Sequence, residues 1–255
     1  MLDTVRPVSR LRARAHRYAR WAGLVAGLMA AQQVASLGTS NFGDDYGALI
    51  VYAITAFGLC AVGGVLLGDA LTLRPQEAVR TAGLVPRRVR DHVPPRMAPL
   101  LVLQAVSLVV LLVIGAATAS PDAMGRAGRA ITVTCDGAPK PLGPWPGIFY
   151  GIPILASLTA GTGACFWALR RIAHRAGDDQ QRRDRSWAIT AAWGVLVSSQ
   201  LLLVGLMIAT VLTHTTCAAT LGTVTALVIY PLGLLGLISL AWCLFTLVAP
   251  RAARR

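Results

Sequence analysis

Six long apolar runs, separated by short segments that carry nearly all the charge, decide what this chain of 255 residues can fold into. A helix needs roughly 20 residues to cross a ~30 Å hydrocarbon core. The runs Trp21–Gly38, Gly47–Gly68, Ala98–Ala119, Gly147–Leu169, Trp187–Leu212 and Thr220–Val248 meet that length or come close to it, and none has a charge near its middle. Only 14% of the chain is charged, against about 25% in a soluble domain. The expected fold class is therefore all-α: a polytopic membrane bundle of about six transmembrane helices over residues 21–248. A basic segment, 1–20, precedes it and a basic tail, 249–255, follows.

The net charge of +13 invites a nucleic-acid reading, and its distribution argues against one. Arginines 6, 10, 12, 14, 17 and 20 precede the first run; 74, 80, 87, 88, 90 and 96 follow the second; 170, 171, 175, 182, 183 and 185 follow the fourth; 251, 254 and 255 end the chain. These alternate segments carry 21 basic residues, and the other side carries three, Arg126, Arg129 and Lys140. The excess marks the cytoplasmic side. Both termini are thus expected in the cytoplasm of a cell membrane, and the near-absence of lysine suggests a GC-rich bacterial genome. Trp21 and Trp187 fall at inner ends of runs and Tyr46, Trp145 and Tyr150 at outer ends, where amphipathic rings favour the interface.

The first run is the shortest and carries Gln32 and Gln33; the last contains Pro231, which predicts a kink or tilt. A signal peptide is the competing reading of residues 1–36. The long basic region and the two glutamines disfavour it. Val8, Leu11, Ala15, Tyr18 and Ala22 recur at helical spacing opposite Arg10, Arg14 and Arg17, so this stretch is read either as a helix lying in the headgroup layer or as an extension of the first span.

Cys60, Cys165 and Cys243 fall inside runs, where they read as small packing residues. Cys135 and Cys217 are the two cysteines of the outer loops, on the side where disulfides persist. The expectation is that they pair, with two free thiols as the alternative. Between Ser120 and Pro146, Ile131–Thr134 suits a short strand, and Pro139, Pro141, Pro144 and Pro146 hold the chain extended.

No catalytic chemistry is visible. The sequence lacks HExxH, GxSxG, P-loop and paired-carboxylate patterns and has no cysteine–histidine metal spacing, so no cofactor and no enzymatic activity are expected. Gln32, Gln33, Gln104, Ser198, Ser199 and Gln200 are the polar residues at helix depth, where such side chains usually bond across helices. Gly23–Gly27 and Gly64–Gly68 have the GxxxG spacing that permits close helix approach.

The basic loop Leu73–Arg96 is the most suggestive segment. Pro75 and Glu77 suit a helix N-terminus and Gly83 its end; Pro86 opens a second element, stopped by Pro94 and Pro95. The run Glu77-Ala-Val-Arg80-Thr-Ala-Gly83-Leu-Val-Pro86-Arg87-Arg88-Val89-Arg90 resembles the cytoplasmic loop of FtsX-type ABC permeases. That resemblance implies a permease subunit of an exporter, with a separate ATPase chain docking on Glu77, Arg80, Gly83, Arg87, Arg88 and Arg90. The chain departs from the family in having about six spans instead of four and in lacking a large outer domain. The other expectation is a non-transporting membrane partner that assembles with or regulates another protein. Beyond the bilayer, the partners expected are thus an ATPase or another membrane protein, and no nucleic acid.

Overall fold

The computed structural model describes residues 6–41, 46–71, 97–135, 138–173, 179–213, 223 and 225–249. Among these residues there are six α-helices and one small hairpin: α1 Arg6–Asn41, α2 Tyr46–Ala70, α3 Met97–Thr118, β1 Ile131–Cys135, β2 Ala138–Leu142, α4 Ile148–Ala173, α5 Asp179–Thr213 and α6 Tyr230–Val248. Five of the helices are long and apolar enough to cross a membrane: α2, α3, α4, α5, and α6 with the turn that leads into it. The chain has the helices of a membrane protein. Six spans were expected and five are found: α1 falls outside the set because Gln32 and Gln33 lower the mean hydropathy of its apolar stretch.

α1 is one continuous helix, so the basic stretch extends the first run instead of lying apart from it. Its chief neighbour is α2. A Cβ added to Gly64 would lie 2.5 Å from Gly23 Cα, and one added to Gly27 would lie 3.1 Å from Cys60 Cβ. Rising numbers in α1 thus meet falling numbers in α2, and the pair is antiparallel. Of the two GxxxG pairs, Gly23, Gly27 and Gly64 mark the crossing itself, where only a missing side chain lets the backbones approach.

α5 is the axis of the bundle. In its apolar stretch 78% of residues are buried, against 22–39% in the other four spans, and it packs on α2, α3, α4 and α6. A helix that is apolar all round belongs inside. Leu196 is fully buried and fills the space left by Gly58 of α2 and Gly161 of α4. Gly194 gives the opposite side of α5 the same relation to Leu101 of α3 and Cys243 of α6.

The irregularity expected at Pro231 is a π-helical turn, Thr225–Ile229, running directly into α6. A proline cannot donate to the carbonyl four residues back and its ring crowds that carbonyl, and a wider turn ahead of it relieves both.

At the other end from the arginine-bearing tips of α4 and α5, β1 and β2 form an antiparallel hairpin with Thr132 opposite Pro141 and Thr134 opposite Pro139. The strand expected at 131–134 is there, and the proline-held segment is its partner. The two prolines share one parity, so the ladder can run through Ala138, Lys140 and Leu142 while the missing N–H groups face away. The hairpin adds a small β element to the helical bundle. Trp145 seats it: its backbone N–H donates to the Arg129 carbonyl at 2.9 Å, and its indole N–H reaches both the Gly115 carbonyl and the Thr118 hydroxyl at 3.1 Å. The Arg129 guanidinium lies 3.6 Å above the Phe149 ring, joining hairpin to α4.

Candidate functional site

The polar groups at helix depth converge on α5. Gln104 of α3 is fully buried; its amide nitrogen donates to Ser239 Oγ of α6 at 2.7 Å and to the Leu235 carbonyl at 3.3 Å, while its oxygen accepts from Ser198 Oγ of α5 at 2.8 Å. One side chain thus ties three helices. Two residues on, and on the other side of α5, Gln200 donates to Ser157 Oγ of α4 at 2.6 Å, and that hydroxyl donates back to the Ile154 carbonyl of its own helix at 2.8 Å. Trp193 donates to Thr162 of α4 at 2.9 Å. Ser199 bonds only within its helix, to the Leu196 carbonyl at 3.2 Å. In hydrocarbon an unmet polar group is costly, so these bonds fix how the helices rotate against one another. Buried without a hydrogen bond are Gln200 Oε1, Thr55 Oγ1 and Thr190 Oγ1.

An ion pair closes the arginine-bearing end. Arg185 Nη1 of α5 lies 3.4 Å from Asp69 Oδ1 at the end of α2, with both side chains mostly buried. Arg170 and Arg171 at the end of α4 lie over the exposed rings of Phe166 and Trp167, at 5.4 and 5.3 Å, on the outer surface of the bundle.

Comparison with protein-family models, curated proteins and solved structures finds no match to this chain.

Of the residues singled out in the sequence, Gln104, Ser198 and Gln200 are brought together around α5. Gln32 and Gln33 are not: both are exposed on α1. Glu77, Arg80, Gly83, Arg87, Arg88 and Arg90 lie outside the described residues, as does Cys217; Cys135 ends β1, and its side chain lies outside them too. No group of three or more histidine, cysteine or acidic side chains is placed to hold a metal among the described residues. What the cluster can do chemically is hold helices together through hydrogen bonds. Sequence reasoning missed the Asp69–Arg185 pair, because an aspartate at a helix end reads first as an interfacial or capping residue, and only the fold brings Arg185 to it.

Proposed function

We propose that this chain is an assembly partner in the cell membrane, both termini cytoplasmic, that docks another membrane protein along the outer face of α1. The observation that carries this reading is Gln32. Following the antiparallel register of α1 and α2 from Gly23 beside Gly64 through Gly27 beside Cys60, Gln32 reaches the level of Thr55, well inside α2, and it is exposed. Tyr18, Trp21, Val25 and Leu28 are exposed too, and with Gln32 they recur at alternating spacings of three and four, the seam of a helix pair. With α1 as the sixth span, packed along α2, an amide on that seam has no water to bond in hydrocarbon, and a second helix laid along it would supply the partner. The filled centre of the bundle supports the same reading, since α5 occupies the place where a solute path through one chain would run.

A photo-crosslinking residue at Leu28, in the full chain in its own membrane, tests this. A discrete protein adduct is expected there and lipid alone from the same residue at Val106, on the exposed face of α3. Gln32→Leu should lower the adduct roughly threefold, the effect of one interhelical hydrogen bond in a bilayer. Adducts at both positions, or at neither, would remove the seam.

The resemblance of residues 77–90 favours a second reading, the permease subunit of an ABC exporter, with any path formed between chains. Arg87→Glu and Gly83→Val should then abolish co-purification of an ATPase while leaving membrane insertion intact. Normal association in both variants would remove it.

A further inference from the structure

Resting on the docking face proposed for α1, we infer that the partner laid along it is a second copy of this chain, the two α1 helices coiling in parallel with Gln32 against Gln32. Tyr18, Ala22, Val25, Met29, Gln32 and Ser36 are all exposed and follow one another at alternating steps of four and three, the spacing of a coiled-coil seam. Ala15, Leu11 and Val8 carry the same spacing on towards the start of α1, which is one unbroken helix. No charge interrupts this stripe, whereas one drawn through Trp21 and Leu28 would run into Arg14. It spans four heptads, from residue 8 to residue 36, about 42 Å of helix, and a repeat sustained that far is the mark of a coiled coil. Gly23 and Gly27, which meet α2, lie on the opposite side of α1, so the bundle leaves the described part of the stripe open.

Polarity and charge make the chain its own fitting partner. Copies of one protein enter the membrane in one orientation, so two α1 helices meet parallel, and in register each Gln32 faces the other. An amide donates through its nitrogen and accepts through its oxygen, so two of them about a two-fold axis satisfy each other. Gln33, next in the chain, borders the hole that receives the facing Gln32, which brings its amide to the same level. One polar position within an apolar seam is also what fixes register. Ser36 makes no second demand, because its hydroxyl donates to the Gln33 carbonyl of its own helix at 2.9 Å. The arginines do not oppose the pairing either. Residues flanking a parallel seam meet about five positions apart, which sets Arg14 against Ala19 and Arg12 against Pro7 of the other copy, while arginines 6, 10, 17 and 20 stand farther round the helix. Ala15 and Ala22 on the seam let the two backbones approach.

Disulfide trapping in the full chain, in its own membrane, tests the pairing, with the unaltered chain as the blank for its native cysteines. Ala22→Cys, Val25→Cys and Met29→Cys should each give an oxidised dimer, and Leu24→Cys, Ala30→Cys and Ala31→Cys, which stand away from the seam, should not. Adding Gln32→Leu to Val25→Cys should lower the linked fraction roughly threefold, the effect of one interhelical hydrogen bond in a bilayer. Gln32→Asn keeps the amide and should restore most of the linkage, which separates loss of the bond from misfolding. Equal linkage at all six positions would mean chance collision and overturns the pairing, as does a linked fraction that Gln32→Leu leaves unchanged. Absence of any linked dimer overturns it too, and the photo-crosslinker at Leu28 then divides two cases. An adduct with a protein of another mass would leave the docking face standing with a different partner, whereas lipid alone would remove the docking face as well.

Discussion

The Ser198 hydroxyl donates to the Gln104 amide oxygen across 2.8 Å, joining the axial helix α5 to α3 deep inside the bundle. The same amide continues to Ser239 of α6. Gln104→Leu removes both links and the bond to the Leu235 carbonyl at nearly constant volume and should destabilise the fold by about 2 kcal/mol, three interhelical bonds at about 0.6 kcal/mol each with some added cost for the stranded hydroxyls. Ser198→Ala alone should cost about 0.6 kcal/mol. A double-mutant cycle from detergent unfolding measures the coupling directly; a coupling of zero would show that the two groups do not bond.

Two adjacent glycines in α2 should behave in opposite ways. A Cβ on Gly63 meets nothing within 4 Å, whereas one on Gly64 meets the Gly23 backbone. Gly63→Ala should leave the unfolding midpoint unchanged or raise it, because alanine favours a helix by up to about 1 kcal/mol. Gly64→Leu should lower stability by about 1–3 kcal/mol, the range for overpacking. Equal responses would place the α1–α2 crossing elsewhere.

Asp122 gives a pH prediction. Slight burial raises its carboxyl pKa, but hydrogen bonds from the Arg126 backbone and side chain and from the Met124 N–H, with the charge of Arg126, outweigh it and hold the group below its ordinary 3.8. The folded value lies below the unfolded one, so the carboxylate supports this turn above pH 3.8 and the support fades as pH falls through the folded value. Carbon-13 carboxyl titration should find the midpoint under 3.8, moving up towards it in Arg126→Gln. A wild-type midpoint at or above 3.8 would mean that the bonds at 2.9 Å and the ion pair at 2.7 Å do not persist in solution.

Orientation can be tested from the charge split of 21 to three. Single cysteines placed at 120–134 or 138–146 should react with impermeant thiol reagents outside intact cells, and those at 76–92 or 176–184 should not. Labelling of the arginine-rich loops from outside would reverse the topology. On the same argument, a non-reducing peptide map should link Cys135 to Cys217; recovery of both as free thiols would remove the disulfide.

Where the helices lie was legible because bilayer thickness sets their length: α2 runs Tyr46–Ala70 against an expected 47–68, and α3 Met97–Thr118 against 98–119. Which helix stands in the middle was not. Lipid tails are as apolar as leucine, so a run facing lipid and a run facing protein read alike. The clue lay in Ser198 and Gln200, whose side chains find their partners on other helices. Gly58 and Gly161, spaced far apart in sequence, gave no sign that they would receive the same leucine. The polar clamps were half legible, since side-chain type predicts that Gln104 bonds to another helix and only packing says to which. Pro139 and Pro141 read as extended chain, but pairing with β1 depends on register, which composition does not carry.

The place of α5 in the chain order has a consequence for biogenesis. The helix around which α2, α3, α4 and α6 are arranged is the fifth to be made, so the ribosome delivers α2, α3 and α4 before the axis. Until Leu196 arrives, the notches at Gly58 and Gly161 stand open, and the Gln104 and Ser157 side chains lack their interhelical partners. A nascent chain stopped after α4 therefore holds unmet polar groups in the bilayer. It is the form that membrane quality control would be expected to recognise, and the one that an insertion chaperone would shield until the axis is threaded.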